Sequence, residues 1–369
     1  MKFTNFNLSK ANGVILAHTI RLDGIKINKG TTLGIKELGL LQAVGIGSIL
    51  GAQLDPDDIH ENDAALDVAI ALCGSHLTVG KAKRGRVNLI AKQQGVVVID
   101  KSMVDAVNLS QTSVTIATLP EFSNTQENQI VATIKVIPFA VNNHIIDKCV
   151  AILTHSITCS RNRAISIKAY QQHQIGLILT RNEETKATVL DATQKVTKQR
   201  LICLGNKLDY HIRCLHRPQR IRLAFQKMLT QQCDLIIVCG ASVTVDVADI
   251  IPTTIVALGG RIEQFGMPVK PGNMLLLGYI STSTVIILPG CSRSPKLNGF
   301  DWVLQRYLSH TELNQNVIRQ MGVGGLIKTK PKALPTSIPS KHSPLLNLSL
   351  TSQKTTTFRL QESATIVSY

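Results

Sequence analysis

Aromatic residues are scarce, at 4% of 369 residues with a single Trp. Single-stranded nucleic acid is usually held by stacking on aromatic rings, so that class of surface lacks its ordinary equipment. CxxC pairs are absent. The eight cysteines, at 73, 149, 159, 203, 214, 233, 239 and 291, are scattered, and several sit inside apolar runs such as DLIIVCG. Neither a disulfide framework nor a cysteine metal site is expected, and buried thiols in a reducing cytoplasm are. Long apolar runs are missing too. None reaches the roughly 18 residues that a membrane-spanning helix needs. The first residues, MKFTNFNLSKANG, have no continuous apolar core and no small-residue cleavage site, so no signal peptide is expected. A cytoplasmic, globular protein without a membrane partner is the expectation.

What is present is basic charge, unevenly spread. The net formal charge is +16. Residues 1–148 carry 14 Lys and Arg against 13 Asp and Glu, residues 149–325 carry 20 against 10, and residues 326–369 carry 6 against 1. The excess belongs to the second part and the tail, where it would attract an anionic ligand. Binding of nucleic acid through this surface is a minor reading, given the aromatic scarcity.

Apolar periodicity divides the chain. Within 1–148, IKELGLLQAVG reads as a helix closed by Gly45, and IGSILGAQL as a strand. DPDDIHENDAALDVAIAL opens with Asp-Pro and acidic residues, which are helix-start features. GVVVID, SVTIATL and QIVATIKVIPF read as strands. From 149 the pattern changes to strands alternating with helices: CVAILTHS, QIGLILTR, CDLIIVCG and STVIILPG read as buried strands. Helices are expected at ATQKVTKQRLICLG, at RPQRIRLAFQKMLTQQC from Pro218, at DIIPTTIVALGG and at SPKLNGFDWVLQRYL. Unbroken apolar strands between helices point to an α/β fold with a mostly parallel sheet covered on both faces, preceded by a mixed α+β region. Residues 326–369, rich in Pro, Ser, Thr and Lys, read as a mobile tail.

In such sheets ligands bind beyond the carboxyl ends of the strands. Two strand ends carry glycine turns. In IIVCGASVTVDVADIIP, Gly240 permits a tight turn, Ala241, Ser242 and Val243 follow, and Asp246 and Asp249 open the next helix. In ILPGCSRSPK, Pro289 and Gly290 turn the chain, and Cys291, Ser292, Arg293, Ser294 and Lys296 follow. There Ser292 or Ser294 would cap a helix with Pro295 at its first position, and its amides, with Arg293 and Lys296, would suit an anion. Ordinary helix capping explains the same residues. Between the turns, FGMPVKPGNMLLLG makes a rigid loop that can also be a plain connection.

Three elements occur in order: Gly240-Ala241-Ser242-Val243, Pro271-Gly272-Asn273 and Leu288-Pro289-Gly290. Their order resembles the molybdopterin-binding domain of molybdenum-cofactor biosynthesis proteins. KGTTLGIKELGLLQAVGI, DPDDIHENDAALDVAIA, GRVNLIAKQQGVVVID and VATIKVIPFAV resemble the amino-terminal region of relatives of molybdopterin molybdotransferase. The resemblance spans about residues 20–315. It implies a three-layer molybdopterin-binding domain over 149–325, with molybdopterin as ligand or substrate, molybdate as substrate and Mg2+ as the accompanying ion. By position, Gly240 to Val243 would line the pterin site, Pro271 to Asn273 would form a wall, and Pro289 to Ser294 with Lys296 would face phosphate or molybdate. Asp249, or Asp246, would be the catalytic carboxylate, with Asp249 as the Mg2+ ligand. A homodimer, and a molybdoenzyme or nucleotidyltransferase partner, would fit the same resemblance.

The chain departs from the pattern in having Leu-Pro-Gly-Cys-Ser where Leu-Pro-Gly-Asn-Pro is usual, Cys239-Gly240 where a glycine pair is usual, and a longer spacing to Asp249. A non-catalytic carrier of the cofactor is therefore the alternative to molybdate insertion. No nucleotidyltransferase activity is expected of the tail. Other candidates are His155 and Ser156 near the crevice, for which a plain loop histidine is the competing reading, and an acidic group at Asp55, Asp57, Asp58, Glu61, Asp63 and Asp67 that reads as a solvated helix face, a cation site or a contact with the basic domain of a second subunit. His211 and His216 flank a strand and are expected to do nothing catalytic.

Overall fold

The run Arg86–Ala91 buries every second residue, and so do Val114–Thr118 and much of Ile130–Val136. Alternation of this kind gives a sheet with one face on a core. These strands form an antiparallel four-stranded sheet, completed by Leu77–Val79. Ala64, Val68 and Leu72 from the helix Glu61–Leu72 pack on it with Val104 and Val107 from Lys101–Ser110. The fold is a computed structural model that describes residues 1–22, 24–155 and 163–327. Ser156, the tail from 328 onward and the side chain of His155 lie outside the described residues.

Residues 149–155 of CVAILTHS, expected to be a strand, are the second half of the helix Asn143–His155. Ile146, Cys149 and Leu153 are buried at i, i+3 and i+7 and join the first core. The same core receives Ile165 and Ile167 from the strand Ile165–Ala169, which pairs antiparallel with Gly95–Ile99. A smaller cluster holds Phe6, Val14, Leu33 and Leu41 near the start of the chain.

The second core surrounds a six-stranded sheet. Its strands are β1 (Ile175–Arg181), β2 (Tyr210–Leu215), β3 (Leu235–Cys239), β4 (Arg261–Phe265), β5 (Leu276–Ile280) and β6 (Ser283–Ile287), in the order β2-β1-β3-β6-β5-β4. β2, β1, β3 and β6 are parallel, while at one edge β5 pairs antiparallel with β6 and β4 antiparallel with β5. The edge strand β4 has no signal in the sequence, because RIEQF is short and only half-buried.

All five residues of β3 are buried. Leu235, Ile237 and Cys239 face one core, and Ile236 and Val238 the other. The core on the Leu235 face also takes Leu190 and Leu201 of α1 (Ala187–Cys203) and Phe300, Val303 and Leu304 of α4 (Gly299–Leu308). The core on the Ile236 face takes Ile221, Ala224, Phe225 and Met228 of α2 (Pro218–Thr230), with Ile251 and Ile255 of α3 (Ile250–Ala257). The four α2 positions fall at i, i+3, i+4 and i+7, one stripe of a helix. Burying Phe225 fully contributes roughly 2–3 kcal/mol. Helices thus pack on both faces of the sheet.

Candidate functional site

The chain leaves β1 through α1 to β2 on one side, then returns through α2 to β3 on the other side of β1. The strand order therefore reverses between β1 and β3, the place where open α/β sheets present a crevice. Thr180 of β1, only 1% exposed, stands at this point. Its hydroxyl accepts the Ala241 N–H at 2.7 Å and lies 2.8 Å from His216 Nδ1. His216 follows β2. Burial holds its ring below the usual histidine range, against the pull of Asp249, so it is neutral at pH 7. Thr180 and His216 are the residues that position the first turn. Sequence spacing passes over Thr180 and gives His216 no role.

Gly240 makes that turn possible, since a Cβ there would stand 2.5 Å from the Ser242 carbonyl oxygen. Ser242 and Val243 are exposed, and among the described residues their amides have no acceptor. Asp249 caps α3, its Oδ1 accepting the Ile250 N–H at 2.6 Å. Asp246 Oδ1 accepts the Ala248 N–H at 2.7 Å. Each carboxylate keeps one uncommitted oxygen. Mg2+ is commonly held by one or two carboxylates together with substrate oxygens. Among the described residues no group of three or more His, Cys, Asp or Glu is placed to hold a metal ion. Asp246 and Asp249 are thus no cage on their own and would be Mg2+ ligands only beside a bound substrate.

The Pro289–Ser294 turn meets the first one. A Cβ on Gly290 would lie 3.3 Å from Val243 Cγ2, and Arg293 Nη2 donates to the Gly240 carbonyl at 2.7 Å. The Arg293 Nε is buried with no partner. Gly290 to Arg293 form one 3-10 turn, and the amides of Gly290 and Cys291 have no acceptor among the described residues. Burial pushes the Cys291 and Cys239 thiols up, so both are protonated at neutral pH. Cys291 sits in the turn as a half-buried, protonated thiol.

The expected helix start at Ser294 and Pro295 is corrected. α4 begins at Gly299, with Asn298 as its cap and Asp301 completing a capping box. Ser292 is fully buried and donates to Asn298 Oδ1 at 2.9 Å, so its hydroxyl points into the protein. Ser294 Oγ receives the Lys296 N–H at 3.4 Å, and the Lys296 side chain is exposed. The first α4 amides are already taken, Gly299 N–H by the Pro271 carbonyl and Phe300 and Asp301 N–H by Asn298. Any anion at this turn is served by Gly290, Cys291 and Arg293.

Arg200, on α1, holds this turn from behind. It is 9% exposed. Nε binds Asp301 at 2.8 Å, Nη1 the Ser292 carbonyl at 2.8 Å, and Nη2 the carbonyls of Ser294 and Lys296 at 2.6 and 3.0 Å. Pro271-Gly272-Asn273 precedes β5 at the same end of the sheet. Gly272 has φ +132°, and a Cβ would stand 2.5 Å from Gly299 N, so this loop is pressed against the start of α4. The Pro271 carbonyl accepts the Gly299 N–H at 2.9 Å, and Asn273 is exposed.

The remaining candidates are dispersed. His211 is exposed on β2. Asp55 and Asp58 meet the Met1 amino group at 2.5 and 2.6 Å, Glu61 meets Lys135 at 3.5 Å, and Asp63 and Asp67 are exposed. Among the described residues no helix is long and apolar enough to cross a membrane.

No family model matches the chain, and no curated protein matches it. Solved structures do. The chain is similar to the molybdopterin biosynthesis enzyme MoaB from Thermus thermophilus, at 16% identity over 37% of this chain and 89% of that one, with a TM-score of 0.28. It is similar to the molybdopterin biosynthesis MoeA protein from Pyrococcus horikosii, at 12% identity over 84% of this chain and 75% of that one, with a TM-score of 0.30. A molybdenum cofactor biosynthesis protein from Pyrococcus furiosus is similar at 11% identity over 84% of this chain and 66% of that one, with a TM-score of 0.23.

Proposed function

We propose that this chain is a cytoplasmic protein of molybdenum-cofactor biosynthesis. It binds molybdopterin at the carboxyl ends of β1, β3 and β6, in a three-layer domain expected over residues 149–325. The observation that carries the reading is the junction of the two turns. Four amides without acceptors, at Ser242, Val243, Gly290 and Cys291, stand beside a guanidinium whose Nε is buried and orphaned. Unpaired amides and a guanidinium at a strand-end crevice suit a phosphate or an oxyanion. The third loop, Pro271 to Asn273, lies at the same end, in the order that the resemblance requires.

The activity proposed is molybdate insertion into the dithiolene of adenylylated molybdopterin. Arg293 and the amides bind the anionic groups. Asp249, with Asp246, faces the reacting end and supplies the oxygens to which a substrate-bound Mg2+ would attach. The carrier alternative draws on a specific feature: both carboxylates already serve the backbone, and both nearby thiols are protonated. A homodimer and a molybdoenzyme or nucleotidyltransferase partner belong to either reading.

The test mixes purified protein with molybdopterin, molybdate, Mg2+ and the adenylylated precursor, and measures both binding and metal transfer. Arg293→Gln should weaken molybdopterin binding about tenfold. Metal transfer supports insertion, and binding without transfer assigns the carrier role. Failure to bind removes both.

A further inference from the structure

The even charge balance of residues 1–148 conceals a strongly basic cleft. A cavity of about 1060 Å3 opens there, lined by Lys29, Lys81, Lys83, Arg84, Arg86 and Lys135. Among its lining residues Glu61 is the one acid, and Lys135 already lies 3.5 Å from it. Among the described residues, no carboxylate comes within ion-pair distance of the other five cations. Those five are exposed. Nothing in the proposed cofactor site uses them.

The cleft is built on a fixed turn. Lys83 and Arg86 exchange both backbone hydrogen bonds, at 3.0 and 3.1 Å, across Arg84 and Gly85. Both central residues have positive φ, +52° and +66°. This is the two-residue hairpin turn that favours Asn-Gly. Gly85 is required, because a Cβ would meet Glu61 Oε2, Lys135 Nζ and the Val136 carbonyl, each at 2.7 Å. Arg84 is not what the turn prefers, and a long side chain in the left-handed region costs energy. The turn is also held from beneath: Gly85 N donates to Asn62 Oδ1 at 2.8 Å, Val136 N to the Gly85 carbonyl at 2.8 Å, and Lys135 Nζ to the Arg84 carbonyl at 2.8 Å. A guanidinium is thus presented from a rigid base among four other unpaired cations. Phe139 lies on the same wall, with Lys29 5.4 Å above its ring.

We propose that this cleft binds a small ligand carrying a chain of phosphates. One phosphate dianion would leave most of the five cations unmatched, whereas a triphosphate, with about four to five negative charges, comes close to matching their total charge. Arginine forks and lysine ammoniums together are the usual receptors of such chains, and the cavity has the size of a ligand site.

Calorimetric titration of the full chain tests this with two probes, inorganic tripolyphosphate and ATP. Saturable binding that weakens with added salt is expected for both. Equal affinities assign recognition to the phosphates alone. Tighter ATP binding adds the Phe139 wall to the same site. Arg84→Asn, which installs a residue the turn favours and so keeps the fold, should weaken tripolyphosphate about tenfold, and Lys81→Gln with Lys83→Gln about a hundredfold. Lys36→Gln, an exposed lysine outside the cleft, should leave this affinity unchanged, which separates the cleft from general surface charge. The proposal is overturned by absence of saturable binding at millimolar ligand, by unaltered binding in the Arg84 and lysine variants, or by an equal loss of binding in Lys36→Gln.

Discussion

At the scale of the residue, Arg200 decides whether the Pro289–Ser294 turn has a shape at all. Its guanidinium makes four hydrogen bonds, to one carboxylate and three carbonyls, and its guanidinium carbon lies 6.0 Å from the Phe300 ring centre. Arg200→Leu keeps much of the volume but leaves Asp301 and three carbonyls without donors. Breaking one side of a buried ion pair costs about 3–5 kcal/mol. Urea unfolding should register a loss in that range, and a loss below about 1 kcal/mol would mean that the turn holds itself. Nothing in QKVTKQRLIC announces this role, since an arginine near the end of a charged helix reads as a solvated cation. Thr180 is equally silent. The glycines of the turns are legible because a tight turn needs them locally. Arg200 meets Asp301 across 101 residues, and Thr180 meets Ala241 across 61. Such partners are set only by the crossovers of the sheet, which one sequence does not specify.

At the scale of the element, the start of α4 separates two readings of one stretch. If Ser294 capped the helix with Pro295 at its first position, Ser294→Ala would remove the cap. In the structure Asn298 does that work, its Oδ1 accepting the Phe300 N–H at 3.0 Å and the Ser292 hydroxyl, while Asp301 accepts the Asn298 N–H at 2.8 Å. Asn298→Ala should therefore cost about 2 kcal/mol, the upper end for caps, and Ser294→Ala under about 0.5 kcal/mol. Thermal or urea melts of the two variants check this, and the reverse order would restore the Ser294 cap. The capping box is in fact legible, because Asn298 and Asp301 stand three apart directly before an apolar stripe. Ser-x-Pro competes with it and is an equally ordinary signal. Strands β3 and β6 and helices α2 and α3 are legible for a sounder reason, since each apolar run has Pro, Gly or Asp at one end or both. CVAILTHS misleads because a short apolar run has no period of its own. Read together with NHIID before it, the burial of Ile146, Cys149 and Leu153 at helical spacing identifies the helix.

At the scale of the whole molecule, acid sensitivity follows from two half-buried histidines at opposite ends of the six-stranded sheet. His216 lies at the carboxyl ends of the strands, and His173 precedes β1. Burial holds both rings below the usual histidine range. His310 pushes His173 further down, while Asp234 pulls it up and Asp249 pulls His216 up. His173 stacks on His310 at 5.0 Å and leans on Tyr307 at 4.8 Å, with its Nε2 buried and unpartnered, so a proton there has no acceptor to meet. The sign follows from proton binding. Above the ordinary histidine value of 6.5 both rings are neutral whether the chain is folded or not. Below that value the unfolded chain takes up protons that the folded chain still refuses, so stability falls as pH falls, until the folded rings titrate as well. Unfolding free energy measured between pH 7 and about 5.5 should decline accordingly. His173→Phe keeps the stack and removes the titration, His216→Asn keeps a polar group beside Thr180, and the double variant should lose most of that decline. An unchanged slope in the double variant would place the acid sensitivity elsewhere. A decline lost with His216→Asn alone would place it in the strand-end crevice, where proton uptake by the free protein would also bear on how Thr180 holds the Gly240 turn for an anionic ligand.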